Sequence, residues 1–380
     1  MAIHPVLSPL YIYKSTIFFL YHNGLHGRFK YIFEFLCDTR ARIWRGIYNF
    51  VVGDEPDLFS PPVIVSAILP TNPLEIQYIM AQFQLRGMGV ALVTPFKADK
   101  SIDYDALETL VDYQIKEGAD FLTVLGTTAE AVTLTPKERR EVASFVVEKT
   151  AGRVPLIVGC GGNNTAELVE RLHNADLSPF SAVLSVVPYY NKPSQEGIFR
   201  HYAAIAEASP LPVVLYNVPG RTGVNMSAET SLRLAEAYPH IIGVKEASGN
   251  IAQVDEIIKH KPEGFNVISG DDGTTYALIA LGAEGVISVI GNAFPNAFSR
   301  MVHFALKGED FKARTIHHRF ADLYRLLSVD GNPSGIKCVL NKLGLIANEL
   351  RLPLVPVSES TAAKIDAQLT MLTDPANYED

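Results

Sequence analysis

From Gly87 onward the chain repeats one grammar eight times: a short apolar run, a loop carrying glycine, threonine or aspartate, then an amphipathic stretch of helical period. This repeat constrains the fold more than any single motif. Strands that alternate with helices run parallel and are covered on both faces, so they read as continuous apolar runs. The runs predicted as strands are 90–94 (VALVT), 121–125, 155–158, 182–187, 212–216 (PVVLY), 241–245, 265–269 and 285–289. Helices are predicted between them at 101–117, from 135 onward, and at 165–175, 195–208, 227–237, 251–260 and 273–281. The second begins at a Thr135 cap followed by Pro136, whose missing N–H is harmless in a first helical turn. Eight such units predict a closed (β/α)8 TIM barrel, an α/β fold, over residues 80–294. A doubly wound open sheet is the alternative, but it prefers fewer strands and a glycine fingerprint after the first, which is absent here. Helices predicted at 296–307, 311–327, 333–343 and 358–372 give a C-terminal helical extension over 295–380, packed against the barrel without a second active domain.

Residues 1–79 follow no such grammar. They hold 6 Lys+Arg against 6 Asp+Glu, so the whole net charge of −8 lies after them. That acidic balance argues against a nucleic-acid partner and fits an enzyme of small metabolites. The segment shows no sustained period of 2 or 3.6 and is broken by Pro56, Pro61, Pro62, Pro70 and Pro73. Its longest apolar run, around STIFFLY, is far below the roughly 20 residues of a membrane span, and neither a signal nor a transit peptide fits. The expectation is an extension outside the catalytic fold, poorly ordered, with Met80 as a candidate true start. A hydrophobic anchor or partner-binding arm is the competing reading. Three scattered cysteines (Cys37, Cys160, Cys338) give neither a disulfide framework nor a zinc pattern, which points to a reducing cytoplasm.

In a barrel of this kind the chemistry sits on the loops after the strands' C-terminal ends. In IIGVKEASG the apolar run of the sixth strand ends in a lone lysine, Lys245, just before the turn. Burying an ammonium costs several kcal/mol unless it is paired or loses its proton, and a neutral buried lysine is a nucleophile suited to Schiff-base formation with a carbonyl. The bland alternative is a lysine that snorkels to water. The neighbouring strand ends carry Thr127-Thr128, Tyr189-Tyr190, Tyr216, Arg221 and the Gly270-Asp271-Asp272 turn. Paired threonines can hold a small carboxylate, tyrosine hydroxyls can shuttle protons beside an amine, and Arg221 offers a planar fork for a second carboxylate. Singly each has a structural explanation: strand end, interface packing, surface ion pair, or helix N-caps at Glu130, Asp271 and Asp272. Those explanations do not say why all fall on one barrel face. Together the residues describe a class I aldolase acting on a 2-oxo acid.

The motifs GTTAE, PYYNKPSQEG, LYNVPGRTG, GVKEASGN and SGDD, in this order on these strands, resemble the 4-hydroxy-tetrahydrodipicolinate synthase family, within the superfamily that includes N-acetylneuraminate lyase. The resemblance covers roughly residues 87–372. It implies a Schiff base between Lys245 and pyruvate, with Tyr216 as proton donor and acceptor and Thr127 and Tyr190 completing a relay. Tyr190 then reaches the site from a neighbouring subunit of a homotetramer, a dimer of dimers. It further implies Thr128 and Ile287 at the bound pyruvate, Gly270 nearby, and Arg221 at the carboxylate of aspartate semialdehyde. The product belongs to lysine and diaminopimelate biosynthesis; no cofactor, metal or membrane takes part. Asn163, Glu167 and Tyr189 match the family's allosteric lysine pocket. Two departures stand out. Ala129 replaces a glycine usual in GTTGE, which strains the loop by about 1 kcal/mol or more if φ is positive there. Pro136 and Arg139 replace histidines of well-regulated members, and Arg139 would repel a cationic lysine.

The nearest rival is another pyruvate-dependent aldolase, cleaving N-acetylneuraminate or a 2-keto-3-deoxy sugar acid; it would tend to lack Arg221 and carry GSTGE. A pyruvate-family sensor that has lost catalysis, or an interaction protein acting through residues 1–79, are rivals of other classes.

Overall fold

The computed structural model describes residues 12–13, 16–17, 28–35, 44–51 and 83–373. The chain divides into two compact units, Met1–Ala67 and Ile68–Asp380. In the first, Arg28–Phe35 pairs antiparallel with Trp44–Val51, Arg28 opposite Val51 and Phe35 opposite Trp44. Ile12–Tyr13 pairs likewise with Thr16–Ile17. These strands differ from the sequence reading. RFKYIFEF places an aromatic at every second position, a strand period that is clear over eight residues and diluted over a longer window. The expectations of poor order and of a start at Met80 lie outside the described residues.

The second unit is the barrel. Its strands are β1 (Gly87–Ala91), β2 (Phe121–Val124), β3 (Leu156–Gly159), β4 (Ala182–Val186), β5 (Val213–Asn217), β6 (Ile241–Glu246), β7 (Asn266–Ser269) and β8 (Gly285–Ser288). Each runs parallel to the next and β8 closes on β1, so all eight expected strands are present in a closed barrel. The first lies three residues earlier than expected. Gly87 and Gly89 fall outside the expected run, yet both are strand residues beside close neighbours: a Cβ at Gly89 would lie 2.0 Å from the Phe121 ring. At the closing seam a Cβ on Gly285, which has φ 157, would lie 2.0 Å from the Gly87 carbonyl oxygen. Only glycine lets these two backbones meet.

The covering helices are α1 (Tyr104–Lys116), α2 (Pro136–Thr150), α3 (Thr165–Asn174), α4 (Gln195–Ala208), α5 (Ala228–Ala237), α6 (Ile251–His260), α7 (Thr275–Leu281) and α8 (Pro295–Leu306). Then come α9 (Asp310–Val329), α10 (Ser334–Lys342) and α11 (Glu359–Thr373). As expected, α2 opens at Thr135. A full capping box joins Thr135 to Glu138, with Pro136 in the first turn. One apolar cluster fills the barrel interior, where Ile157, Leu184, Val214, Ile268 and Ile287 meet Phe121 and Tyr216. A larger one lies between strands and helices. Each fully buried side chain of this size contributes about 1.5–3 kcal/mol, and the two layers clamp every strand from both faces, fixing the strand ends that carry the site. Cys160 and Cys338 are buried and unbridged; Cys37 lies outside the described residues. Among the described residues no helix is long and apolar enough to cross a membrane.

Candidate active site

All six residues of β6 (IIGVKE) are buried. The apolar members seat the strand, and the cost falls on Lys245, which is only 6% exposed. It stands opposite Tyr216 of β5 and Ile268 of β7. Partners in register share a side of the sheet, and Lys245 Nζ lies over the Tyr216 ring, 4.4 Å from its centroid. The negative ring face attracts a cation without an ion pair. Behind it, Glu246 is buried and bound by Asn217 Nδ2 and Ser248 Oγ, each at 2.5 Å. Burial pushes the Glu246 carboxyl up, against the pull of those donors.

Lys245 and Tyr216 line a cavity of about 580 Å3 at the strands' C-terminal ends, together with Thr127, Thr128, Arg221 and Gly270. That volume suits small-molecule chemistry. Gly270 is glycine because of its neighbours: a Cβ there would lie 2.9 Å from Lys245 Cε and 2.7 Å from Ala247 Cβ.

The threonines come from a 3-10 turn, Thr127–Ala129, that follows β2. Thr128 is buried and its Oγ1 accepts a hydrogen bond from Asn332 Nδ2 at 3.0 Å, while Thr127 is exposed. The left-handed residues lie on either side of the turn, at Leu125 (φ 58) and Glu130 (φ 52), and Ala129 is not among them. The condition for strain at Ala129, a positive φ, is therefore not met. Its carbonyl accepts from Thr94 Oγ1 at 2.8 Å.

Other expected residues sit elsewhere. Tyr190 is 89% exposed with φ 72 and does not line the cavity. Ile287 is packed in the barrel interior, outside the lining. Tyr189 and Arg139 line the cavity, and Asn163 Nδ2 donates to the Tyr189 carbonyl at 3.2 Å; Glu167 is exposed on the first turn of α3. The suggested N-caps are put to other uses. Glu130 pairs with Lys337, Asp271 Oδ1 accepts from Gly273 N at 3.0 Å, and Asp272 accepts from the N–H groups of Val289 and Ile290 at 3.0 and 2.7 Å. Burial pushes Asp272 up to about 6.

The sequence reading missed the contribution of the C-terminal extension. Tyr324 and Asn332 line the cavity, and the Asn332 carbonyl accepts from Arg221 at 3.1 Å. Asn332 thus ties the threonine turn to the arginine loop. Its signal in the sequence is slight, an asparagine before a proline (GNPSG) at a helix start.

A closed parallel barrel with an enclosed lysine against a tyrosine ring at its strand ends defines an enzyme barrel built around an amine. The model of the Dihydrodipicolinate synthetase family matches residues 84–372, and the chain belongs to that family. A relative from Parabacteroides distasonis named 4-hydroxy-tetrahydrodipicolinate synthase is 60% identical over 294 residues, covering 77% of this chain and 99% of its own. Among solved structures, the chloride-inhibited dihydrodipicolinate synthase of Acinetobacter baumannii complexed with pyruvate is 40% identical with TM-score 0.73, covering 76% of this chain and 98% of that one. The enzyme of Cyanidioschyzon merolae with lysine bound is also 40% identical, with TM-score 0.72 over 76% of this chain and 97% of that one.

Proposed function

We propose that this chain joins pyruvate to L-aspartate 4-semialdehyde, giving 4-hydroxy-tetrahydrodipicolinate and water, through a Schiff base on Lys245. The observation that carries the reading is the buried Lys245 amine over the Tyr216 ring, inside the strand-end cavity. The unprotonated amine attacks the keto carbon of pyruvate. The carbinolamine loses water as Tyr216 passes a proton to the leaving hydroxyl, and the methyl group of the resulting imine gives up a proton to form an enamine. Thr128, with its hydroxyl set by Asn332, and Thr127 hold the pyruvate carboxylate, and Thr127 also carries the proton relay on from Tyr216. The enamine carbon adds to the semialdehyde, whose carboxylate lies on Arg221. The semialdehyde's own amine then attacks the imine carbon, closes the ring and releases Lys245.

Tyr190 completes the proton path from a second copy of the chain. Its 89% exposure, with Val132 at 83% on the same rim of loops, supports a surface meant to be covered. A homotetramer, a dimer of dimers, and a cytoplasmic setting follow from the same reading. Arg221 at the cavity favours this reaction over sugar-acid cleavage. Borohydride added with pyruvate is expected to trap a covalent adduct on the peptide carrying Lys245, in protein that also consumes aspartate semialdehyde. No adduct would overturn the mechanism. An adduct without semialdehyde turnover would move the function to another aldolase of the superfamily.

A further inference from the structure

Lys337 is a second lone lysine in an apolar context, within α10 (SGIKCVLNK). Its Nζ meets Glu130 Oε1 at 2.5 Å with both side chains at 0% exposure. It also donates to the Glu349 carbonyl at 2.9 Å. The second Glu130 oxygen accepts the backbone N–H of Arg351 at 3.0 Å. Both cations lie against Phe96, with Lys337 Nζ 4.2 Å and the Arg351 guanidinium 4.5 Å from its ring centroid. Arg351 in turn forks onto Glu138, at 2.6 and 3.0 Å, and Glu138 holds the Thr135 N–H at the start of α2.

Stability alone does not call for an ion pair in such a place, because a hydrophobic pair of similar volume often serves as well or better. Direction is what the pair adds. A carboxylate with one oxygen on Lys337 and the other on the Arg351 N–H has a single position, and Glu130 is the left-handed residue that ends the threonine turn. α10 and the residues before it therefore hold that turn twice: Asn332 on the Thr128 hydroxyl and Lys337 on Glu130.

We propose that the buried Glu130–Lys337 pair positions Thr127 and Thr128 for the pyruvate carboxylate, so that the C-terminal extension sets the affinity of a site whose nucleophile it does not supply. Both are positioning residues, acting through the turn. The proposal rests on the assignment of the threonines to pyruvate. The test is the E130Q/K337M double variant, which removes both charges together, alongside E130D, which keeps the charge and shortens its arm. Both are measured for thermal midpoint, for the borohydride-trapped adduct at saturating pyruvate, and for the KM of each substrate. The expected result is a folded protein that still forms the Lys245 adduct. Its KM for pyruvate rises about 10- to 100-fold, as for a sub-ångström to 1 Å misplacement, and its KM for the semialdehyde is unchanged. E130D shifts the pyruvate KM in the same direction and reports alone if the double variant does not fold. A pyruvate KM equal to that of the unaltered protein, whether or not the thermal midpoint falls, overturns the proposal. Failure of the unaltered protein to form the adduct would instead overturn the assignment on which it rests.

Discussion

A single methyl group at position 270 probes how tightly the lysine is held. The substitution is Gly270→Ala. Gly270 is not in the left-handed region, so alanine meets no backbone penalty and its effect is steric. The new Cβ would stand 2.9 Å from Lys245 Cε and 2.7 Å from Ala247 Cβ. Against a carbon–carbon contact of about 3.5 Å, the shortfalls are roughly 0.6 and 0.8 Å. Lys245 Cε can swing aside. Ala247 Cβ cannot, being fixed to its own backbone, so the end of β6 or the loop after β7 must also move. Overpacking of this kind costs about 1–3 kcal/mol. Displacing a reacting amine by most of an ångström costs on the order of 10- to 100-fold in rate. The assay is the rate of borohydride-trapped adduct formation under single-turnover conditions, with thermal denaturation in parallel. The expected outcome is a lower melting midpoint and adduct formation slowed by one to two decades. Unaltered adduct kinetics would refute the claim that Gly270 is small for the sake of Lys245.

Replacing Arg221 by Met removes a charge-assisted pair worth about 1.5–3 kcal/mol, so the KM for the semialdehyde is expected to rise roughly 10- to 100-fold with that for pyruvate unchanged; a change confined to pyruvate would reassign the arginine. Arg139 and Tyr189 both line the cavity, and L-lysine is expected to inhibit weakly or not at all, so half-inhibition at sub-millimolar lysine sinks that expectation. At the opposite end of the barrel His303 Nε2 meets Asp120 at 3.0 Å, and that hydrogen bond raises the imidazole above its ordinary value. A raised histidine stabilises fully below its unfolded value of about 6.5 and loses that contribution as pH rises through the folded value. The side chain is 41% exposed, so after solvent screening the effect stays under about 1 kcal/mol. The melting midpoint should therefore decline slightly as pH rises from the unfolded value through the raised folded one, and His303→Gln should abolish this part of the slope.

The barrel was legible because parallel strands buried on both faces must be apolar throughout and their helices amphipathic, so each unit announces itself locally. Lys245, Tyr216, Arg221 and the threonines were legible because strand ends are where such a fold keeps its chemistry. The parts that escaped depend on non-local pairing. β1 starts at Gly87 because Gly285 must approach it, a fact about residues 198 positions apart in a seam no window spans. The left-handed Glu130, which ends the threonine turn, is held by Lys337 and Arg351 of the C-terminal extension, contacts that span more than 200 residues. Lys337 could have been flagged by the argument applied to Lys245, since GIKCVL is as apolar around its lysine as IIGVKE. On a helix outside the strand ends, such a lysine has no local feature that separates it from ordinary packing.

The bonds from Asn332 to Thr128 and from Arg351 to Glu130 span 204 and 221 residues of chain. At the ribosome's pace of about 5–20 residues per second, roughly 10–40 s separate the synthesis of the threonine turn from that of the groups that fasten it. β1 and β2 precede the turn, and the other six barrel strands, Lys245 included, are made within that interval. The pocket is therefore finished last, and a chain truncated before Asn332 carries the nucleophile without the clasp that shapes its carboxylate site.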